Sequence, residues 1–453
     1  MKRQKRRIEL LSFYDHTGIE RHLADMAREG WMIEKITNYF WTYRRIKPQQ
    51  LSFTVSYFPN TSDFEPAPSE ARQTFIDFCT ESGWELACTW YQMQIFYHTG
   101  QSPTPIHTDP ALEVETIHRG CKTKYLRMDK VLCFLSLIGT LLLFSSLISD
   151  TLRIVASPTA LVGGMCCLVL FLFCSVELAA YYTWYRKAKK AAEYEIFLDT
   201  PSTSGFQKRL MIVLGLCAAY WIINMVFAQN PLAAGILFVV VVLFVTITSL
   251  VNSVKQVLKQ KRVSAGINRM LTTAASFVIT FVLSWGILTV GTHILSHVQP
   301  EDLFPYEEPP LRISDLLDTE YSNYLTTVST DRSLFLSRME FYQREGFDDE
   351  ASQDIPMLKY ERYDVIVPEL YGFCESQMKR LMLLSAFWNG KLVEQDAAPW
   401  GAKNAYRLIM QDATGKNLYL LCYTDTLVQI EFNWNPTEEQ MRIVGERLDG
   451  NRV

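Results

Sequence analysis

The chain has 453 residues, of which 49% are hydrophobic, and a formal net charge of −4. Residues 1–129 hold 16 basic and 16 acidic side chains, residues 130–297 hold 13 and 5, and residues 298–453 hold 15 and 27. The sparsely charged middle third excludes a soluble core there and reads as a membrane domain, while the aromatic-rich flanks exclude disorder.

The basic start, Met1 to Arg7, is followed by Ile8–Tyr14, which is too short and too polar beyond it for the apolar core of a cleavable signal peptide. It is expected to lie on an anionic membrane surface or in solvent, with no direct nucleic-acid binding. Residues 8–98 read as strand, helix, strand, strand, helix, strand. Ile8–Tyr14 is the first strand. Gly18–Glu29 is a helix with Ile19, Leu23, Met26 and Ala27 on one face, stopped by Gly30. Trp31–Ile46 is a long strand, Leu51–Phe58 alternates apolar and polar residues, a helix carries Phe75, Ile76 and Cys79 inward, and Trp84–Tyr97 is the last strand. Leu23 to Trp31 and Ile76 to Trp84 share one pattern of apolar helix, glycine stop and tryptophan. Two such halves predict a ferredoxin-like βαββαβ domain of the α+β class.

Asp15, His16, Glu20 and His22 place imidazoles and carboxylates at the mouth of a strand-to-helix turn, a mixture able to bind metal or move protons. Glu20 and His22 are two apart and diverge on a helix, however, so a helix cap at Asp15 or Thr17 and a solvated surface is the plainer reading. An aromatic set, Trp31, Tyr39, Phe40, Trp41 and Tyr43, offers a binding face or else sheet core, and Trp84 is expected to pack across the helix–sheet seam.

The stretches Ser12-Phe-Tyr-Asp-His-Thr-Gly-Ile-Glu-Arg-His-Leu23, Met26-Ala-x-x-Gly-Trp31, Phe75-Ile-Asp-Phe-Cys79 with Gly83-Trp84, and Asp109-Pro-x-Leu-Glu-Val-Glu115 carry a resemblance. Together they resemble a firmicute family of membrane proteins, domain of unknown function 2812, over about the first 120 residues. The resemblance implies a bacterial plasma-membrane protein with several spans and a linkage to PadR-type regulators as cytoplasmic partners. It supplies no catalytic residue.

Five apolar runs suit spans, each needing ~20 helical residues: 131–148, 159–184, 210–228, 232–251 and 270–295. Lys and Arg crowd before the first, after the second and after the fourth, whereas the segments after the first, third and fifth are nearly free of them. That alternation predicts a cytoplasmic N-terminus and an extracytoplasmic C-terminus. Glu177 is the one ionisable residue inside an apolar run and is expected to snorkel to the cytoplasmic interface, beside a belt formed by Tyr181, Tyr182, Trp184 and Tyr185.

After an acidic, proline-rich linker at 298–310, residues 311–453 predict an α+β domain. Asp315–Glu345 and Pro368–Leu384 read as helical. Strands are expected at 391–395, 405–410, 418–423 and 427–432, turns at Asp412–Gly415 and Thr424–Thr426, and a last helix at Thr437–Leu448. The domain has no histidine, and its acidity is expected to keep it soluble. Cys374 and Cys422 would lie outside, as a disulfide or as two buried thiols.

No catalytic constellation and no cofactor or metal is expected. The organisation is that of a multi-pass membrane protein whose partners are the lipid bilayer and a cytoplasmic protein. Sensing or regulation is the leading reading, and an accessory role in transport or export is the alternative.

Overall fold

The computed structural model describes residues 4–37, 40–58, 62, 64–65, 69–100, 103–123, 125–227, 231–295, 308–318, 324–345, 356–385, 390–410 and 417–449. The chain divides into two units, one of residues 1–138, 167–216 and 233–299, the other of residues 139–166, 217–232 and 300–453.

In the first unit, the N-terminal domain contains β1 (Gln4–Arg7), α1 (His16–Arg28), β2 (Trp31–Ile36), β3 (Trp41–Arg45), β4 (Ser52–Tyr57), α2 (Glu70–Glu81), β5 (Glu85–Trp90), β6 (Met93–His98) and α3 (Pro110–Thr123). It is a tandem of two βαββ halves. Each half closes its own antiparallel sheet with its last strand in the middle, in the orders β1-β3-β2 and β4-β6-β5. The expected single βαββαβ sheet is therefore not what these residues form. The two strands read as long are hairpins. Thr37 bonds back to Phe40, its N–H donating to the Phe40 carbonyl at 2.9 Å and its Oγ1 accepting from the Phe40 N–H at 3.0 Å, and Tyr91 takes a φ of 51°.

The internal echo extends further than the sequence suggested. Gly30 and Gly83 both sit at φ 85°, a left-handed stop that a side chain resists. The register of each following strand then shifts, between Ile33 and Lys35 in one half and between Leu86 and Cys88 in the other. The first strand also falls earlier than expected, on the basic residues themselves, with Arg7 opposite Trp41.

Five helices are long and apolar enough to cross a membrane: Tyr125–Ser149, Pro158–Ala192, Ser204–Asn224, Val239–Gln260 and Ala265–His293. They belong to α4 (Tyr125–Ser149), α6 (Pro158–Ala192), α7 (Ser204–Phe227), α8 (Pro231–Gln260) and α9 (Ala265–Leu295), with the short α5 (Thr151–Ala156) between the first two. At 1.5 Å per residue the 35 residues of α6 extend over about 52 Å, well beyond a ~30 Å hydrocarbon core. The surplus is built into the N-terminal domain. Tyr181, Trp184 and Ala188 lie in one core with Tyr14, Ile19 and Leu23, so Tyr181 and Trp184 are buried instead of forming an interfacial belt.

In the second unit, β7 (Tyr324–Arg332), β8 (Leu336–Glu345), β9 (Met357–Val365), α10 (Tyr371–Ser385), β10 (Gly390–Gln395), β11 (Asn404–Met410), β12 (Asn417–Cys422), β13 (Thr426–Phe432) and α11 (Glu438–Leu448) follow. The strands form one antiparallel sheet ordered β10-β11-β12-β13-β9-β8-β7. Residues 324–345 are strands rather than the expected helix, because the run Leu325-Thr-Thr-Val-Ser-Thr330 is β-branched and gains by packing on a sheet. Strand β9 was not foreseen. The Asp412–Gly415 turn lies outside the described residues, while the Tyr423 N–H closes the Thr424–Thr426 turn on the Thr426 carbonyl.

Both faces of this sheet are covered, and the period of two sorts the side chains between them. Tyr419, Leu421, Val428 and Ile430 face a core with Val444 and Leu448 of α11. Leu418, Leu420, Cys422 and Leu427 face a second core with Cys374, Met378 and Met382 of α10. Leu152 and Ala156 of α5 complete that second core, both fully buried, so the segment between the first two spans is part of the C-terminal domain.

Candidate functional site

The segment leading into α1 carries the polar residues Ser12 and Asp15. The segment between α6 and α7 supplies Thr200 and Thr203, and the first turn of α7 supplies Gln207. Ser12, Thr203 and Gln207 meet at Glu177. Its Oε1 accepts from the Ser12 hydroxyl at 2.8 Å and from Thr203 Oγ1 and Gln207 Nε2, and its Oε2 accepts from the Tyr125 hydroxyl at 3.1 Å. Only 2% of Glu177 is exposed, so it does not snorkel to an interface. The reason is the set of four donors waiting for it inside the protein. Its partners among the described residues are hydroxyls and an amide, hydrogen bonds that offset the cost of its burial.

One turn away, Asp15 caps α1. Its Oδ1 accepts from the Gly18 N–H at 3.0 Å and from the Thr200 hydroxyl at 2.6 Å, while the Thr200 N–H donates to Thr17 Oγ1 at 3.0 Å. Burial raises the Asp15 pKa above the usual carboxylate value, and these bonds hold part of the rise back. Asp15 and Thr17 together thus fasten the start of α1 to the α6–α7 segment.

His16 and Glu20 stand one helical turn apart on the inner side of α1. His16 Nε2 lies 3.6 Å from Glu113 Oε1 of α3, and Glu20 Oε1 accepts from the Val55 N–H of β4 at 2.8 Å. Burial lowers the His16 pKa to about 4, raises Glu113 to about 7 and, with the Glu113 charge adding to it, raises Glu20 to about 8. His107, whose Nε2 is 3.1 Å from the Ser56 hydroxyl, is also lowered by burial.

The remaining sequence candidates are placed elsewhere. His22 Nε2 pairs with Glu9 Oε1 and the Tyr43 hydroxyl, each at 3.2 Å. Trp41, Tyr43 and Trp84 are core, and Trp31 is capped by the Arg45 guanidinium at 4.8 Å and Lys5 at 5.2 Å. Phe40 is exposed and Tyr39 lies outside the described residues, so the aromatic set does not make a continuous open face. Cys374 and Cys422 are free thiols buried in one core, not a disulfide. Among the described residues no three His, Cys, Asp or Glu side chains are disposed to hold a metal ion.

Sequence reasoning missed the partners of Glu177. The signal available was a lone acid in an apolar run together with the hydroxyl-rich stretch Thr200-Pro-Ser-Thr-Ser204. It also missed Arg338, 1% exposed, which donates to the Tyr363 hydroxyl at 3.1 Å and lies 2.5 Å from Glu340 and 3.6 Å from both Asp331 and Glu361.

Residues 15–128 match the family described as protein of unknown function (DUF2812), so the chain carries an N-terminal domain of that family. No curated protein and no solved structure matches the chain.

Proposed function

We propose that this is a multi-pass protein of the bacterial plasma membrane that works in sensing or regulation, with its N-terminal domain in the cytoplasm and its C-terminal domain outside. The Lys and Arg distribution supports that orientation. The observation that carries the reading is the Glu177 joint, in which Ser12 of the N-terminal domain bonds a carboxylate of the second span and, through it, Thr203 and Gln207 before and within the third. A binding event that displaces the N-terminal domain must break or remake those bonds, and a shift in α6 must do the same in reverse. At its other end α6 follows α5, which is seated in the C-terminal core. Signal transfer needs a binding partner on at least one side, and the family resemblance favours a PadR-type regulator within the cytoplasm.

Stringent capture with the full-length protein from its native host is expected to retain a cytoplasmic partner and to lose it in Glu177→Leu. Capture of nothing by the unsubstituted protein would overturn the reading.

One observation favours an accessory role in transport: Glu177 is a buried carboxylate within a span, a type of residue that membranes tolerate at functional positions. Flux of a labelled substrate into proteoliposomes, abolished by Glu177→Gln, would establish that role in place of the regulatory one.

A further inference from the structure

Among its described residues the C-terminal domain leaves six large hydrophobic side chains exposed: Leu325, Leu334, Phe335, Ile366, Phe373 and Ile409. Three of them lie side by side. Leu334 and Phe335 form the tip of the β7–β8 hairpin, and Ile366 follows β9 directly beside it, its N–H donating to the Phe335 carbonyl at 3.0 Å. Their exposures are 45%, 37% and 46%. Apolar side chains scattered singly over a surface need no explanation, whereas a contiguous set marks a surface that meets something other than water.

The turn also pairs its own backbone. The Ser333 N–H donates to the Leu336 carbonyl at 2.8 Å, and Ser333 Oγ accepts from the Phe335 and Leu336 N–H groups at 3.1 Å each. Polar groups thus turn inward on Ser333, itself 3% exposed, while the apolar side chains turn outward. A turn in water can leave such groups to the solvent, but backbone at membrane depth must find its partners within the protein.

The surroundings of the turn identify what it meets. The Phe335 ring stacks on that of Tyr220 of α7, with centroids 6.4 Å apart, and both residues belong to the second unit. Helix α7 is one of the five candidate spans and runs on to Phe227, about 10 Å beyond Tyr220. That stretch is apolar apart from Asn224, whose amide donates back to the Tyr220 carbonyl at 2.8 Å. The base of the hairpin is fixed as well: Leu336 shares a core with Leu152 and Ala156 of α5, between the first two spans. On the same face of the sheet Arg380 of α10 donates to the Ile148 carbonyl, near the end of α4, at 2.9 Å. The tip therefore stands among the ends of spans, alongside one of them and short of its end.

We propose that Leu334, Phe335 and Ile366 form a lipid-inserting tip, seated in the acyl chains of the leaflet at the Phe227 end of α7. The occupant is acyl chain rather than headgroup, because the three side chains carry no polar atom. Arg332, exposed where β7 enters the turn, reaches back to the headgroups. The tip holds the C-terminal domain against the bilayer, whichever compartment that leaflet faces. It is separate from the Glu177 joint and does not depend on the regulatory reading.

The test uses the full-length protein in phosphatidylcholine nanodiscs whose lipids carry a photoactivatable diazirine on one acyl chain, with a water-soluble diazirine as the opposing probe. Mass-spectrometric mapping is expected to place acyl-chain label on residues 333–336 and 366, at the level found on the exposed Phe281 and Trp285 of α9. Leu334→Asp puts a charge into the tip and is expected to lower its acyl-chain label about tenfold, with that on α9 unchanged. Absence of acyl-chain label from the tip of the unsubstituted protein would overturn the proposal without recourse to any variant. Label from the aqueous probe would then show a tip in water, and label from neither would show one covered by a second copy or another protein. An unchanged acyl-chain label in a folded Leu334→Asp protein would overturn it too.

Discussion

The Ser12 hydroxyl donates to Glu177 Oε1 at 2.8 Å, and the two residues are 165 positions apart in the chain. Ser12 belongs to the segment that starts α1, and Glu177 to a helix whose first half runs through apolar sequence. Around this bond Thr203 and Gln207 also donate to Oε1 and Tyr125 donates to Oε2, and among the described residues no cation pairs with the carboxyl. Loss of the Tyr125 hydroxyl would leave Oε2 unmet at its full desolvation cost, whereas Oε1 keeps two donors when one of its three is lost.

Ser12→Ala removes one of these donors without adding bulk. The expected loss is about 0.5–1.5 kcal/mol, the net value of one hydrogen bond, read as a lower melting temperature of the purified protein in detergent. Glu177→Leu removes the acceptor and leaves four donors facing a methyl group, so it is expected to cost more than Ser12→Ala. Combining Ser12→Ala with Glu177→Leu should cost less than the two single losses added together, since both act on one bond.

The pH dependence of the N-terminal domain has two arms of opposite slope. His16 is lowered to about 4 from an ordinary value near 6.5, so the unfolded chain binds its proton first and stability falls as pH drops through that window. Glu113 and Glu20 are raised to about 7 and about 8 from 4.5, so the folded state holds their protons and stability falls as pH rises toward 8. Above about pH 6.5 only the carboxyls act. Melting curves of the full-length protein should therefore decline from pH 6.5 to 8, and Glu20→Gln with Glu113→Gln should flatten that decline while leaving the acid arm in place.

Arg338 answers three acids in the second unit. Arg338→Met keeps the buried volume but leaves Asp331, Glu340 and Glu361 clustered without their shared cation. A loss of about 1–3 kcal/mol is expected, because the three acids left behind are partly exposed and Glu340 keeps Lys359 at 3.9 Å. Neutralising Glu340 as well, with Glu340→Gln, should recover part of it in denaturant titrations.

The spans were legible because backbone in lipid must be helical, which leaves apolar length as a nearly sufficient signal. Helix α1 was legible for a local reason too: its cap, its apolar stripe and its glycine stop all lie within sixteen residues, Asp15 to Gly30. The hairpins at Thr37–Phe40 and at Tyr91 were hidden because neither carries the glycine or proline that usually marks a turn. Strand β7 was read as helix because Thr and Val report their preference only once a neighbouring strand is present. The site was half visible. Asp15, His16 and Glu20 stood out as a group, yet their partners Thr200, Glu113 and Val55 come from other elements, and no local pattern announces a contact of that range.

The proposed regulation requires the C-terminal and N-terminal domains to communicate through α6 and the Glu177 joint. Leu152 of α5, fully buried in the C-terminal core, gives a handle on it. Leu152→Ala should loosen that core by about 2–5 kcal/mol. Amide exchange of residues 198–207 and of α1 would then be measured in the full-length protein in nanodiscs, with and without Glu177→Leu. Faster exchange is expected at those residues in Leu152→Ala, with no further change when Leu152→Ala is added to Glu177→Leu. A C-terminal domain measurably loosened by Leu152→Ala, with exchange at residues 198–207 and α1 unaltered, would contradict it.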